Sequence, residues 1–143
     1  MRSTRTVLVT GAVIFAFGGL MAAVPATAAD TSPRVAAAAA PSGCASGDVC
    51  FYSEKNYKGS KCSWDAADPD TLSGSVVCSW MKSGTKVKSV YNHGTSSDGS
   101  TGVVFFRKKD YVDRIGCTKN GSGGNLAGTY IPRSLKWTSG DCG

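Results

Sequence analysis

Six cysteines, a single histidine and a single glutamate bound the chemistry open to this chain. The cysteines are Cys44, Cys50, Cys62, Cys78, Cys117 and Cys142. An even count confined to one stretch reads as a disulfide framework, for which fifteen pairings are possible. Nearest-neighbour pairing is the expectation: Cys44 with Cys50, Cys62 with Cys78, Cys117 with Cys142. For the first pair, the five intervening residues include Gly47 and suit a small loop. Oxidised cysteines leave no thiol nucleophile. A zinc site is not expected, because no CxxC pair exists and His93 is the only histidine. A Ser-His-Asp triad would need His93 as its base, yet that residue stands among glycine, serine and asparagine with no nucleophile motif near it. Glu54 is the only glutamate and the aspartates lie in turn-like contexts, which leaves no carboxylate pair for glycoside hydrolysis. The chain reads as a non-enzyme, with no metal and no cofactor.

The N-terminus reads as an address rather than a structural element. Arg2 and Arg5 precede an apolar stretch over 7–24, and Ala26-Thr27-Ala28 supplies a small-x-small cleavage site. Residues 1–28 are therefore expected to be a signal peptide, and the mature protein to be secreted, extracellular and free of the membrane. Residues 29–42, with an alanine run at 36–40 between Pro33 and Pro41, have no periodic apolar face and read as a disordered leader or propeptide. Residues 43–143 remain as one domain, small enough to gain from covalent staples. The whole chain carries 16 basic and 10 acidic residues, a net +6. Removing 1–28 takes away two arginines and no acid. The modest excess left is scattered over Lys55, Lys58, Lys61, Lys82, Lys86, Lys88 and 107–109, which argues against nucleic acid as a partner.

Within the domain the pattern is that of short strands. Val49 to Tyr52, 60–64, 85–91, 102–107, 114–117 and 134–138 combine β-formers with alternation, most clearly where Val87 and Ser89 alternate with Lys86 and Lys88. The segments 93–101 and 120–128 are rich in breakers and read as loops. A single helical turn is expected over 66–72, where Asp68-Pro69-Asp70 could cap it. The expected class is an all-β antiparallel sandwich.

The chain also repeats itself. Tyr52, four residues, Tyr57, Lys58 and Gly59 form a phrase that recurs as Phe106, four residues, Tyr111, Val112 and Asp113. Each copy is followed by a Ser-aliphatic pair, Ser89-Val90 and Ser134-Leu135. Such duplication implies one supersecondary unit used twice. Asp113 stands where the first copy has glycine, and aspartate tolerates the left-handed conformation better than most residues.

These features together resemble the Greek-key signature of βγ-crystallin domains. With the signal sequence, the alanine-rich leader and the Cys44-x5-Cys50-Phe-Tyr opening, they resemble peptidase inhibitor family I36, the Streptomyces metalloproteinase inhibitor family. The resemblance implies two disulfide-linked Greek keys in which Tyr52 packs on Tyr57 and Phe106 on Tyr111. It also points to the calcium sites of many crystallin domains, but 84–89 and 129–134 lack carboxylates at the leading positions, so calcium is not expected. It implies a monomeric inhibitor of a secreted metalloprotease, with a rigid loop in the second Greek key entering the cleft. The corresponding segment contains Gly116, Cys117, Thr118 and Lys119. The alternative is an antifungal or cell-wall polysaccharide-binding module, in which Trp64, Trp80 and Trp137, with Tyr91 and Tyr130, would stack on sugar faces. Core packing competes for each tryptophan.

Overall fold

Runs of four to six β-branched, aromatic and cysteine residues between glycine- and serine-rich connections favour strands over helices. The structure, a computed structural model, describes residues 39–127 and 129–142. The signal peptide read at 1–28 and most of the leader read at 29–42 lie outside the described residues. One antiparallel sheet orders β2 (Lys61–Trp64), β1 (Val49–Tyr52), β3 (Ser89–Asn92) and β6 (Ser122–Asn125). The other orders β5 (Arg114–Lys119), β4 (Gly102–Phe106) and β7 (Ser134–Thr138).

The two sheets have one plan. In each, the first strand of a hairpin lies between its hairpin partner and the strand that closes the same half, β2-β1-β3 and β5-β4-β7. β6 belongs to the second half but pairs with β3 in the first sheet. Its counterpart in the first half is reduced to one residue: Asp68 N–H donates to Leu135 O at 2.9 Å, and Leu135 N–H returns to Asp68 O at 3.0 Å. Each half thus lends a segment to the sheet of the other, an exchange that fits two Greek-key motifs. The fold is an all-β sandwich.

Two readings from sequence change here. Residues 66–72 form no helix: the Asp68–Leu135 bridge draws Asp68 alongside β7, and a hydrogen-bonded turn begins only at Asp70, whose carbonyl accepts from the Ser73 and Gly74 amides. The helix among the described residues is a single turn, α1 (Ser79–Lys82), directly after Cys78. Residues 120–128, read as a loop, contain β6. Its Ser-Gly-Gly-Asn sequence has little strand propensity, but a Cβ at Gly123 would come within 2.5 Å of Val90 O. The absence of side chains is what lets this segment close on β3.

The core lies between the sheets. Phe51 of β1 meets Trp64 and Phe105 edge-to-face, with ring centroids 5.7 and 5.6 Å apart. Val49, Met81, Val87, Val103 and Leu135 complete it without exposure. The three disulfides join Cys44 to Cys50, Cys62 to Cys78 and Cys117 to Cys142. A second small cluster packs Tyr52 and Tyr91 over Cys44 and Cys50.

The repeated phrase forms two equivalent folded hairpins. Tyr52 and Tyr57 meet at 5.8 Å and 64°, Phe106 and Tyr111 at 5.9 Å and 67°. Positive φ recurs at Asn56, Tyr57 and Gly59 and again at Asp110, Tyr111 and Asp113, the last with φ 65. Asp113 therefore takes the conformation of the glycine it replaces. Lys136 adds its ammonium 5.1 Å from the Tyr111 ring. In both copies a buried serine ties the hairpin down. Ser89 Oγ donates to Glu54 O at 2.6 Å and accepts from Tyr57 N–H at 3.0 Å. Ser134 Oγ donates to Lys108 O at 2.7 Å and accepts from Tyr111 N–H at 3.0 Å. Replacing either serine by alanine strands one donor and one acceptor, an expected loss of about 1–3 kcal/mol for each variant. Urea denaturation of Ser89→Ala and Ser134→Ala checks this, and an unshifted midpoint in either would contradict the bridging role.

Candidate functional site

The segment for which the resemblance implies an inhibitory loop continues the strand read at 114–117. Gly116, Cys117, Thr118 and Lys119 are the last four residues of strand β5, paired with Phe105, Val104, Val103 and Gly102 of β4. Lys119 is exposed, Thr118 is buried, and Gly116 and Cys117 are half-buried. A strand forms because β4 is the most apolar segment of the domain and needs partners on both sides. Gly116 suits that pairing, since a Cβ there would collide with the ring of Phe105. Upstream the register slips by one residue, Phe106 pairing with Arg114 and Phe105 with Gly116, so Ile115 is the extra residue of a bulge.

β5 is an edge strand. Asn120 N–H donates to Thr101 O at 3.0 Å, which makes Gly102–Lys119 a pair without mutual hydrogen bonds. By the alternation of an antiparallel ladder, the N–H and C=O of Lys119 and of Cys117 point away from β4, toward the open side. The strand is tied at both ends. Cys117 is bonded to Cys142 with Cα atoms 5.1 Å apart, and Arg114 Nη2 donates to Cys142 O at 2.8 Å. A cavity of about 300 Å³ lies between β5 and β6, lined by Cys117, Thr118, Lys119, Ser122 and Gly124 among others.

Sequence reasoning missed the residues behind the turn that follows. Asn92, with no exposed surface, ends β3 and donates through Nδ2 to Thr118 O at 2.8 Å and to Asn120 Oδ1 at 3.0 Å. Asn92 Oδ1 accepts from Gly94 N–H at 2.7 Å, and Asn92 O accepts from Gly121 N–H at 2.8 Å. Asn120 Nδ2 donates in turn to Ser100 O at 2.9 Å and Ser96 Oγ at 3.3 Å. The 93–101 connection is thereby moulded onto the turn. Hydrogen bonds from the Ser100 side chain and amide hold the Asp98 carboxyl below the ordinary aspartate value. In the sequence, Asn92 and Asn120 differ in no visible way from other turn asparagines.

The remaining candidates have structural placements. His93 sets Nδ1 2.8 Å from Cys44 O and meets the Tyr91 ring edge-to-face. Trp64 is buried and donates Nε1–H to Asp68 Oδ2 at 3.0 Å. Trp80 and Trp137 pack, partly buried, against the same core, as does Tyr130, while Tyr91 is buried in the smaller cluster. The aromatic residues do not form one exposed face. Burial pushes the Asp70 carboxyl up, but hydrogen bonds from Arg133, Ser73 and the Leu72 amide outweigh it and hold the group below its ordinary value. Among the described residues no three histidine, cysteine, aspartate or glutamate side chains gather where a metal ion could sit.

No curated protein matches the chain. Residues 37–118 of 143 match a family model described as peptidase inhibitor family I36. The match takes in β1 to β4, both folded hairpins and β5 as far as Thr118. It spans more than half of the chain. The chain belongs to peptidase inhibitor family I36 and is a peptidase inhibitor rather than an enzyme.

Proposed function

We propose that the protein is a secreted, monomeric inhibitor of metallopeptidases that engages its target through β5 and the turn beyond it. Residues 1–28 act as the signal peptide, 29–42 as a leader and 43–143 as the inhibitory domain. The observation that carries the reading is an extended edge strand whose Cys117 and Lys119 carbonyls face outward while a disulfide and a buried asparagine fix its backbone. Peptidase clefts take up substrate as an extended strand, so such an edge docks by main-chain hydrogen bonds. One outward carbonyl takes the place of the scissile carbonyl at the zinc of the peptidase. Because β5 is already ordered, little conformational entropy is lost on docking, and contact energy is retained as affinity.

The test is a titration of a thermolysin-type metallopeptidase with the purified, oxidised protein, with an aspartic peptidase as comparator. Stoichiometric loss of metallopeptidase activity alone is expected. Full activity at micromolar protein would overturn the reading.

A further inference from the structure

Residues 117–120 place a basic side chain beside a peptide bond that is restrained on both flanks. Lys119 is exposed at the end of β5, and neither of the ion pairs among the described residues, Arg107–Asp113 and Arg133–Asp70, involves it. Its N–H and C=O face the open edge, as do those of Cys117 two residues earlier. The intervening Thr118 carbonyl is held from within by the buried Asn92 amide at 2.8 Å. On the far side of the Lys119–Asn120 bond, the Asn120 main-chain nitrogen is held by Thr101 O at 3.0 Å. The Asn120 side chain is held by Asn92 and Ser100 at 3.0 and 2.9 Å.

We infer that Lys119 is a primary-specificity residue, and Lys119–Asn120 a reactive peptide bond, for serine peptidases whose primary pocket carries a carboxylate. This rests on the reading of β5 as the inhibitory edge and extends it to a second class of target. An acidic pocket selects a lysine or arginine side chain on the acyl side of the bond it cleaves. The outward N–H and C=O of Cys117 and the N–H of Lys119 can pair with the cleft as an added strand, while Lys119 fills the pocket.

The chemistry balances without any further reactant. The peptidase serine oxygen adds to the Lys119 carbonyl carbon, and its proton passes to the peptidase histidine. Collapse breaks the Lys119 C–Asn120 N bond and leaves a Lys119 ester, with the histidine proton transferred to the Asn120 nitrogen. An ordinary leaving peptide would then diffuse away and admit water. Here the new amine stays in place, because Asn92, Ser100 and Thr101 grip Asn120, β6 remains paired with β3, and the Cys117–Cys142 bond joins the two pieces. The retained amine attacks the ester, returns its proton through the histidine and expels the serine, restoring the peptide bond. Proximity favours this intramolecular step over hydrolysis by water.

The experiment titrates trypsin and, in parallel, thermolysin with the oxidised protein and with its Lys119→Ala and Asn92→Ala variants. The native protein is expected to inhibit trypsin stoichiometrically. Lys119→Ala, an exposed change that leaves the fold intact by thermal melt, is expected to weaken trypsin inhibition by more than about 100-fold, as truncation of a central anchor does. Asn92→Ala, where it folds, is expected to be cut at Lys119–Asn120 faster than the native protein, as read by mass spectrometry. Trypsin inhibition equal in the native protein and Lys119→Ala would overturn the inference, and so would cleavage of the native bond at the rate of an ordinary substrate or no inhibition of trypsin. The thermolysin arm reports separately, since loss of inhibition there alone would count against the metallopeptidase reading and leave Lys119 standing.

Discussion

Full reduction of the three disulfides is expected to unfold the domain at about 37 °C. The pairs close sequence separations of 6, 16 and 25 residues. Loop-closure entropy assigns them about 2, 3 and 3.5 kcal/mol, together close to 9 kcal/mol. The net stability of a small domain is about 5–15 kcal/mol, so this loss removes most or all of it. The bonds also lie at sensitive points. Cys78 is buried in the main core, Cys44–Cys50 underlies the tyrosine cluster, and Cys117–Cys142 anchors the β5 edge. Near-ultraviolet circular dichroism of the oxidised and reduced protein at fixed temperature measures the effect. A reduced protein that keeps its aromatic spectrum, with six titratable thiols, would show that the core suffices alone.

Phe105→Ala is expected to be the most damaging single core substitution, costing about 3–5 kcal/mol. Phe105 is 2% exposed, stands edge-to-face with Phe51 across the sandwich and covers Gly116 on the neighbouring strand. Its removal opens a void that the two sheets cannot close, since β4 is held on one side by β5 and on the other by β7. Phe105→Leu keeps most of the volume and is expected to lose only about 1–2 kcal/mol. Chemical denaturation of both variants checks the order. A loss below about 1 kcal/mol for the alanine variant would mean that the ring does not fill the inter-sheet space. The same packing links the core to the site, because a ring that no longer presses on Gly116 leaves β5 free to shift.

Much of this architecture was legible because its signals are local. β1 and β7 occupy the residues that strand propensity and alternation indicate, and β4 stops only one residue short. The duplicated aromatic phrase located both folded hairpins, and the αL tolerance of aspartate accounts for Asp113 at φ 65. What escaped depends on partners far along the chain. β6 has no strand-forming side chains and exists because Gly123 can approach β3. The 66–72 segment carries capping residues for a helical turn, but the bridge from Asp68 to the distant Leu135 takes up its first half and leaves Asp70 to cap a turn that starts later. Residues 114–117 read as a strand, but the family resemblance set an exposed loop over Gly116 to Lys119, just before Asn-Gly. Only their register with β4 turns them into an edge strand. The grip of Asn92 on Thr118 and Asn120 likewise follows from the pairing of the two halves, and no spacing announces it.

On the reading proposed above, a peptidase engages the β5 edge and the turn after it. Hydrogen exchange of the protein, free and bound to its target peptidase, tests this most directly. New protection is expected at the outward amides of Cys117 and Lys119 and through the 120–122 turn, with the 53–60 hairpin unchanged. Protection gained on the 53–60 hairpin, with none along β5, would contradict it.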